Sequence, residues 1–216
     1  MTGQLVLPFA PRLDFKREDF FVSPCNSEAF WGVTNPQKWP MKMLFLYGEK
    51  GCGKTHLAHL FSNHIQKARN LTEQDIISFS ETVVLEDIDE IQDEALLFHA
   101  FNYVRENGIF LLMTARRMPF FKLPDLKTRM NSVLSIAIHA PDDTLILSIL
   151  CKLFNERQVQ VEPEVMAFLL KHMERTYDSL RQIVEEVDKI SLQKKHRITI
   201  PLLKEALISI QKKRLL

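Results

Sequence analysis

The sequence predicts an α/β protein in two parts, a parallel sheet layered with helices and then helices alone, and three observations carry that reading. Three of only six glycines fall between Gly48 and Gly53, with an apolar run before them and helical periodicity after. That concentration marks a place where the backbone does something side chains would obstruct. Further short apolar runs alternate with helical stretches as far as residue 138, as parallel strands joined by crossover helices require. After Ala140 and Pro141 only helical spacing remains.

Taken in order, residues 42–47 read as a buried strand and T-H-L-A-H-L-F-S-N-H-I at 55–65 as the helix that follows the glycines. Strands are next expected at 82–87 and 109–114, with a helix over 93–106 between them, and a last short strand at 133–138. Four apolar stripes then run through residues 145–154, 165–173, 180–190 and 203–210, the last with Thr199 as N-cap and Pro201 in its first turn. The expected organisation is an N-terminal segment (1–15), an α/β domain (16–140) and a helical domain (141–216), with no internal repeat.

At 46% hydrophobic and 25% charged residues the chain has material for a sizeable core. Its net charge of +1 leaves no overall field to draw it to nucleic acid or an anionic membrane. Cys25, Cys52 and Cys151 are odd in number and widely spaced, without a C-x-x-C pair for zinc or redox work, which points to reduced thiols. No leader-like or membrane-spanning apolar run is present in the sequence, so a cytoplasmic protein with no membrane insertion is expected.

Chemistry concentrates at G-E-K-G-C-G-K-T, residues 48–55, which matches the phosphate-loop pattern G-x-x-x-x-G-K-[ST]. Backbone N–H groups across Gly48, Gly51, Cys52 and Gly53, with the helix that follows, form a nest for phosphate. Lys54 neutralises its charge and Thr55 ligates Mg²⁺. For Cys52 a small side chain is all the position needs. The strand ending in Glu86 and Asp87 supplies carboxylates for the Mg²⁺ shell and for polarising a water, and which acid does which is left open. Thr114, at the end of the next strand, is placed to orient a water or touch the γ-phosphate. Arg129 could pair with surface acids or serve as an arginine finger in a neighbouring subunit's site, and Arg181 could be solvated or close on the nucleotide.

Those blocks, with V-V-L-E-D-I, L-M-T-A-R-R-M-P, L-P-D-L-K-T-R, S-L-R-Q-I-V and R-I-T-I-P-L-L-K-E-A-L in this order, resemble AAA+ proteins of the DnaA class over nearly the whole chain. The resemblance implies a P-loop AAA+ core with a C-terminal all-α lid, binding ADP or ATP with Mg²⁺. It makes Glu86 and Asp87 the Walker B acids, with Glu86 and Thr55 toward the metal, Thr114 sensor I, Arg129 the arginine finger in trans and Arg181 sensor II. His56 joins the nucleotide contacts, R-E-D-F-F-V-S-P-C-N lays the backbone of Phe21 and Val22 against adenine, and Asn26 begins the first helix.

The chain ends after the fourth lid helix, where DnaA continues into a DNA-binding domain. This arrangement is similar to the Hda family of DnaA inactivators, and the P-loop cysteine to its alphaproteobacterial form, HdaA. Q-L-V-L-P-F at residues 4–9 then resembles a sliding-clamp-binding motif. Gln4 would enter a small polar pocket while Leu7 and Phe9 fill an apolar groove on the β clamp of DNA polymerase III. Leu5 would also belong to the clamp-binding set, and Pro8 would limit the conformations frozen out on binding. The hexapeptide alone could equally be an edge strand.

The implied function is negative regulation of replication initiation: a clamp-tethered adaptor that stimulates hydrolysis of DnaA-bound ATP, touching DNA mainly through the clamp, with weak turnover of its own. A homodimer that covers residues 4–9 is possible. Two alternatives stand beside it, a DnaA-like loader or accessory factor acting on DNA and a free-standing P-loop ATPase or kinase. Three departures from the DnaA pattern are visible. The Walker B order is Glu-Asp, Arg116 replaces an aspartate, and the stretch before Thr82 is so short that a reduced sheet, or a minimal strand at 75–79, is expected.

Overall fold

The computed structural model describes residues 15–194 and 197–214. Gln4, Leu5, Leu7, Pro8 and Phe9 lie outside the described residues, as does nearly all of the 1–15 segment. The α/β part runs α1 (Ser27–Thr34), β1 (Met43–Gly48), α2 (Lys54–Phe61), β2 (Ile65–Lys67), α3 (Glu73–Ile77) and β3 (Thr82–Glu86). It continues through α4 (Glu94–Asn107), β4 (Phe110–Ala115), α5 (Pro124–Met130) and β5 (Leu134–Ile138). The lid follows as α6 (Asp143–Glu156), α7 (Pro163–His172), α8 (Tyr177–Lys194) and α9 (Ile200–Arg214).

Among the described residues the five strands are all parallel, in the order β2-β3-β4-β1-β5. Side chains alternate across such a sheet, so each strand serves two layers. Leu44 and Leu46 of β1, Val84 of β3 and Leu112 of β4 join Leu57 and Ala58 of α2, residues of α1 and the lid helices in one core. Met43, Phe45, Val83, Leu85, Leu111 and Met113 face the other way, onto α3, α4 and α5. Burying each such side chain fully contributes about 1.5–3 kcal/mol, which is why the central strands are unbroken apolar runs.

The expectation of a reduced sheet is corrected. The P-loop helix stops at Phe61 rather than running on to residue 65, because Ser62 turns the chain: its hydroxyl donates to Thr82 O at 3.2 Å and accepts from His64 N–H at 3.0 Å. Residues 65–67 are thereby released to pair in register with β3 as a fifth strand. Residues 75–79 form no strand. Thr72 and Asp75 make a reciprocal capping box that starts α3 there instead.

At the joint between sheet and lid, Asp142 caps α6 by accepting from Leu145 N–H at 2.9 Å and also accepts from Cys25 N–H at 3.4 Å. Among the described residues no helix is long and apolar enough to cross a membrane.

Candidate nucleotide site

The glycine loop joins β1 to α2. Gly51 and Gly53 have φ of 85° and 97°, a conformation that disfavours any residue with a Cβ. A Cβ on Gly53 would also stand 2.9 Å from the Phe20 ring, and one on Gly51 3.1 Å from Cβ of Tyr177. The loop is thus shaped by its own backbone and held between an aromatic side chain from the opening segment and one from the lid.

Lys54, the first residue of α2, is buried, and its Nζ donates to Gly48 O at 2.7 Å and Glu49 O at 3.0 Å. Its ammonium therefore lies within the cradle of loop carbonyls and amides. Cys52 is buried beneath the same loop, 3.7 Å from that nitrogen. Burial pushes its thiol up from the ordinary value despite Lys54, in keeping with a position that asks only for a small side chain.

Across the loop, Glu86 ends β3 almost fully buried and accepts from the Thr55 hydroxyl at 2.7 Å through Oε1. Asp87 follows in the left-handed region, φ 56° and ψ 51°, and its N–H donates to the Thr114 hydroxyl at 3.2 Å. Thr114 is buried at the end of β4, so the sequence-derived trio of Glu86, Asp87 and Thr114 converges, with the threonine gripping the acid's backbone. Lys67 of β2 completes the group, its Nζ 2.9 Å from Glu86 Oε2 and 2.6 Å from Asp87 Oδ2. The sequence pointed to no such lysine. Its signal is the strand register that sets Lys67 opposite Glu86, in a strand of three residues that shows no period in the sequence.

On the opening segment, Asn26 precedes α1, donates to Phe21 O at 2.9 Å and accepts from Ser23 N–H at 2.8 Å, fixing the backbone around Phe21 and Val22. Phe15 stacks on His59 with ring centroids 4.2 Å apart, Phe20 meets His56 edge-on at 5.3 Å, and His56 Nε2 lies 2.8 Å from Lys16 O. Burial, first, holds the His56 pKa below its ordinary 6.5, and the Lys16 carbonyl only partly opposes it.

The two arginines behave differently. A cleft of about 610 Å³ beside the loop is lined by Glu49 and Lys50, by Asp89, Glu90, Arg116 and Arg117, and from the lid by Thr176 and Asp178. Arg181 is exposed on α8 and is not among these lining residues. Arg129 lies half-buried on α5 with its guanidinium 4.6 Å from the centroid of the Phe98 ring, on the sheet face opposite α2. Arg116 is engaged by acids: its N–H donates to Asp89 Oδ2 at 3.2 Å and its guanidinium lies 3.5 Å from Glu90.

The residues fit a polyphosphate with a magnesium ion, on the left-handed glycines, the buried Lys54 amine and the Thr55 hydroxyl set against a buried carboxylate. Fold and site together define a P-loop protein with an AAA+-type parallel core and an all-α lid. The model for the family described as Hda, lid domain, matches residues 143–207. A Haemophilus influenzae protein described only as uncharacterized is 28% identical over 231 residues, 96% of this chain and 99% of that one. The chromosomal replication initiator protein DnaA of Bacteroides thetaiotaomicron is 29% identical over 182 residues, 69% of this chain but 39% of that protein. Among solved structures, domain III of Thermotoga maritima DnaA superposes with a TM-score of 0.72 at 20% identity, covering 93% of this chain and 97% of that domain. Fold and lid thus match the Hda/DnaA AAA+ family in general.

Proposed function

We propose that this protein is a nucleotide-bound AAA+ regulator of DnaA that promotes hydrolysis of DnaA-bound ATP by presenting Arg129 to the DnaA active site. The observation that carries the reading is the position of Arg129. It is propped by Phe98 on the sheet face opposite the P-loop helix α2, and in this reading it serves a neighbour's nucleotide rather than the chain's own. Met118 and Phe120, exposed on the loop that leads to α5, give the same side apolar surface suited to a protein partner. The match of residues 143–207 to the Hda lid supports this regulator over a small-molecule kinase.

In this reading Lys54 and the loop amides bind the phosphates, Thr55 and Glu86 hold Mg²⁺, and the backbone at Phe21 and Val22 lies against adenine. His56 and Phe20 close the loop's flank, and Thr114 orients the Asp87 backbone. The ion supplies charge neutralisation at the phosphates when bound. Arg181 would reach the nucleotide only as the lid closes. Residues 4–9 tether the protein to a sliding clamp, raising its local concentration near DnaA on replicating DNA.

The test loads DnaA with labelled ATP and follows its conversion to ADP with and without clamp assembled on DNA. Conversion should require this protein and the clamp, and fall at least about a thousandfold in Arg129→Ala, as loss of an arginine finger does. Phe9→Ala should lose the clamp dependence. Equal conversion by Arg129→Ala and the unaltered protein would overturn the reading.

A further inference from the structure

Parallel pairing of β2 with β3 sets Lys67 directly opposite Glu86, and the lysine spans the gap to both acids at that strand's end. Every carboxylate atom of Glu86 is thereby engaged: Oε1 by the Thr55 hydroxyl and Oε2 by the Lys67 ammonium. Asp87 is engaged through Oδ2, and its backbone is fixed by Thr114. Two negative charges meet one positive charge where Glu86 is buried, while the Lys67 ammonium is itself partly open to water and its field partly screened.

Mg²⁺ asks for oxygen ligands in a near-octahedral shell, and Glu86, the acid that would help hold it, has its oxygens taken by Thr55 and Lys67. The lysine side chain is 41% exposed, on an edge strand, and can swing into solvent without dismantling the core.

We propose that Lys67 is an internal counter-cation on Glu86 and Asp87 that competes with the magnesium ion of a bound nucleotide and so sets how much that ion strengthens nucleotide binding. The inference rests on the nucleotide reading above and deepens it. Nucleotide is held mainly by the loop and Lys54, the metal contributes little to affinity, and the chain's own turnover is restrained because the acids stay paired with an amine.

The test titrates a fluorescent ADP analogue into the full chain in EDTA and in Mg²⁺ and compares the ratio of the two affinities. In the unaltered protein the ratio should be small. Lys67→Met and Lys67→Gln should raise it about tenfold, as expected when one positive charge leaves a pair of carboxylates of which one is buried, and Lys67→Arg should keep it within about twofold. A general loss of folding cancels in the ratio, and rescue by arginine separates charge from packing. Neutral variants that bind the analogue with the unaltered ratio would overturn the inference and leave the nucleotide reading intact. Failure of the unaltered protein to bind the analogue in either buffer would overturn the nucleotide reading, and this inference with it.

Discussion

His56 joins two structures that sequence alone keeps apart. It follows the P-loop threonine on α2, yet its ring nitrogen lies against the carbonyl of Lys16 and its ring meets Phe20 and Phe15 edge-to-face. Burial lowers its pKa, with Lys152 and His59 adding to the effect and the Lys16 carbonyl and Asp19 opposing it. A depressed folded-state pKa means that the unfolded chain takes up the proton more readily. Stability present above the ordinary value of 6.5 is therefore lost as pH falls from there toward the lower folded value. The melting temperature should decline between about pH 7 and about pH 5, and decline less in His56→Gln, which keeps a polar group but does not titrate. Parallel declines in both proteins would remove His56 as the cause.

Among elements, the lid helix α8 meets the P-loop through its first residue. Tyr177 is buried with its Cβ against Gly51, while its hydroxyl donates to His139 O at 3.4 Å and lies 3.9 Å from Cys25 Sγ. Burial raises the pKa of the phenol far above its ordinary value, so it remains a donor throughout the working range. Tyr177→Ala should cost about 3 kcal/mol or more in denaturant unfolding, as loss of a buried ring does, and Tyr177→Phe about 1 kcal/mol or less. A cost for Tyr177→Ala no larger than that for Tyr177→Phe would show that the ring does not hold lid to loop.

Elements were legible in the sequence where periodicity was long or punctuation strong. The runs at 42–47, 82–87 and 109–114 shift by a residue at most at either end, and the four lid stripes each became a helix. What escaped was β2. Three residues are too few to show a period, and Ile65 fits the helical spacing that Leu57, Leu60 and Phe61 begin. Lys67 escaped with it, because a lysine's meaning here lies in the strand it faces rather than in its own neighbourhood. The P-loop, the paired acids and Thr114 could be found because their spacing is local and their chemistry demands those residue types.

Over the whole molecule the sheet acts as a partition. Its α1 and α2 face carries the lid core and, at its margin, Phe15 stacked on His59; its α3, α4 and α5 face carries Arg129. Phe15, where the described chain begins, and Arg129 are therefore on opposite faces of the sheet. Under the proposed function, a partner reached through the segment before Phe15 and one seated over α5 are expected to bind together. Mixing this protein with clamp and with ATP-bound DnaA should yield a three-component complex in size-exclusion chromatography, and displacement of one by the other would contradict it. On that proposal the sheet works as a divider, with the start of the described chain on one face and the presented arginine on the other, so that two partners are held at once.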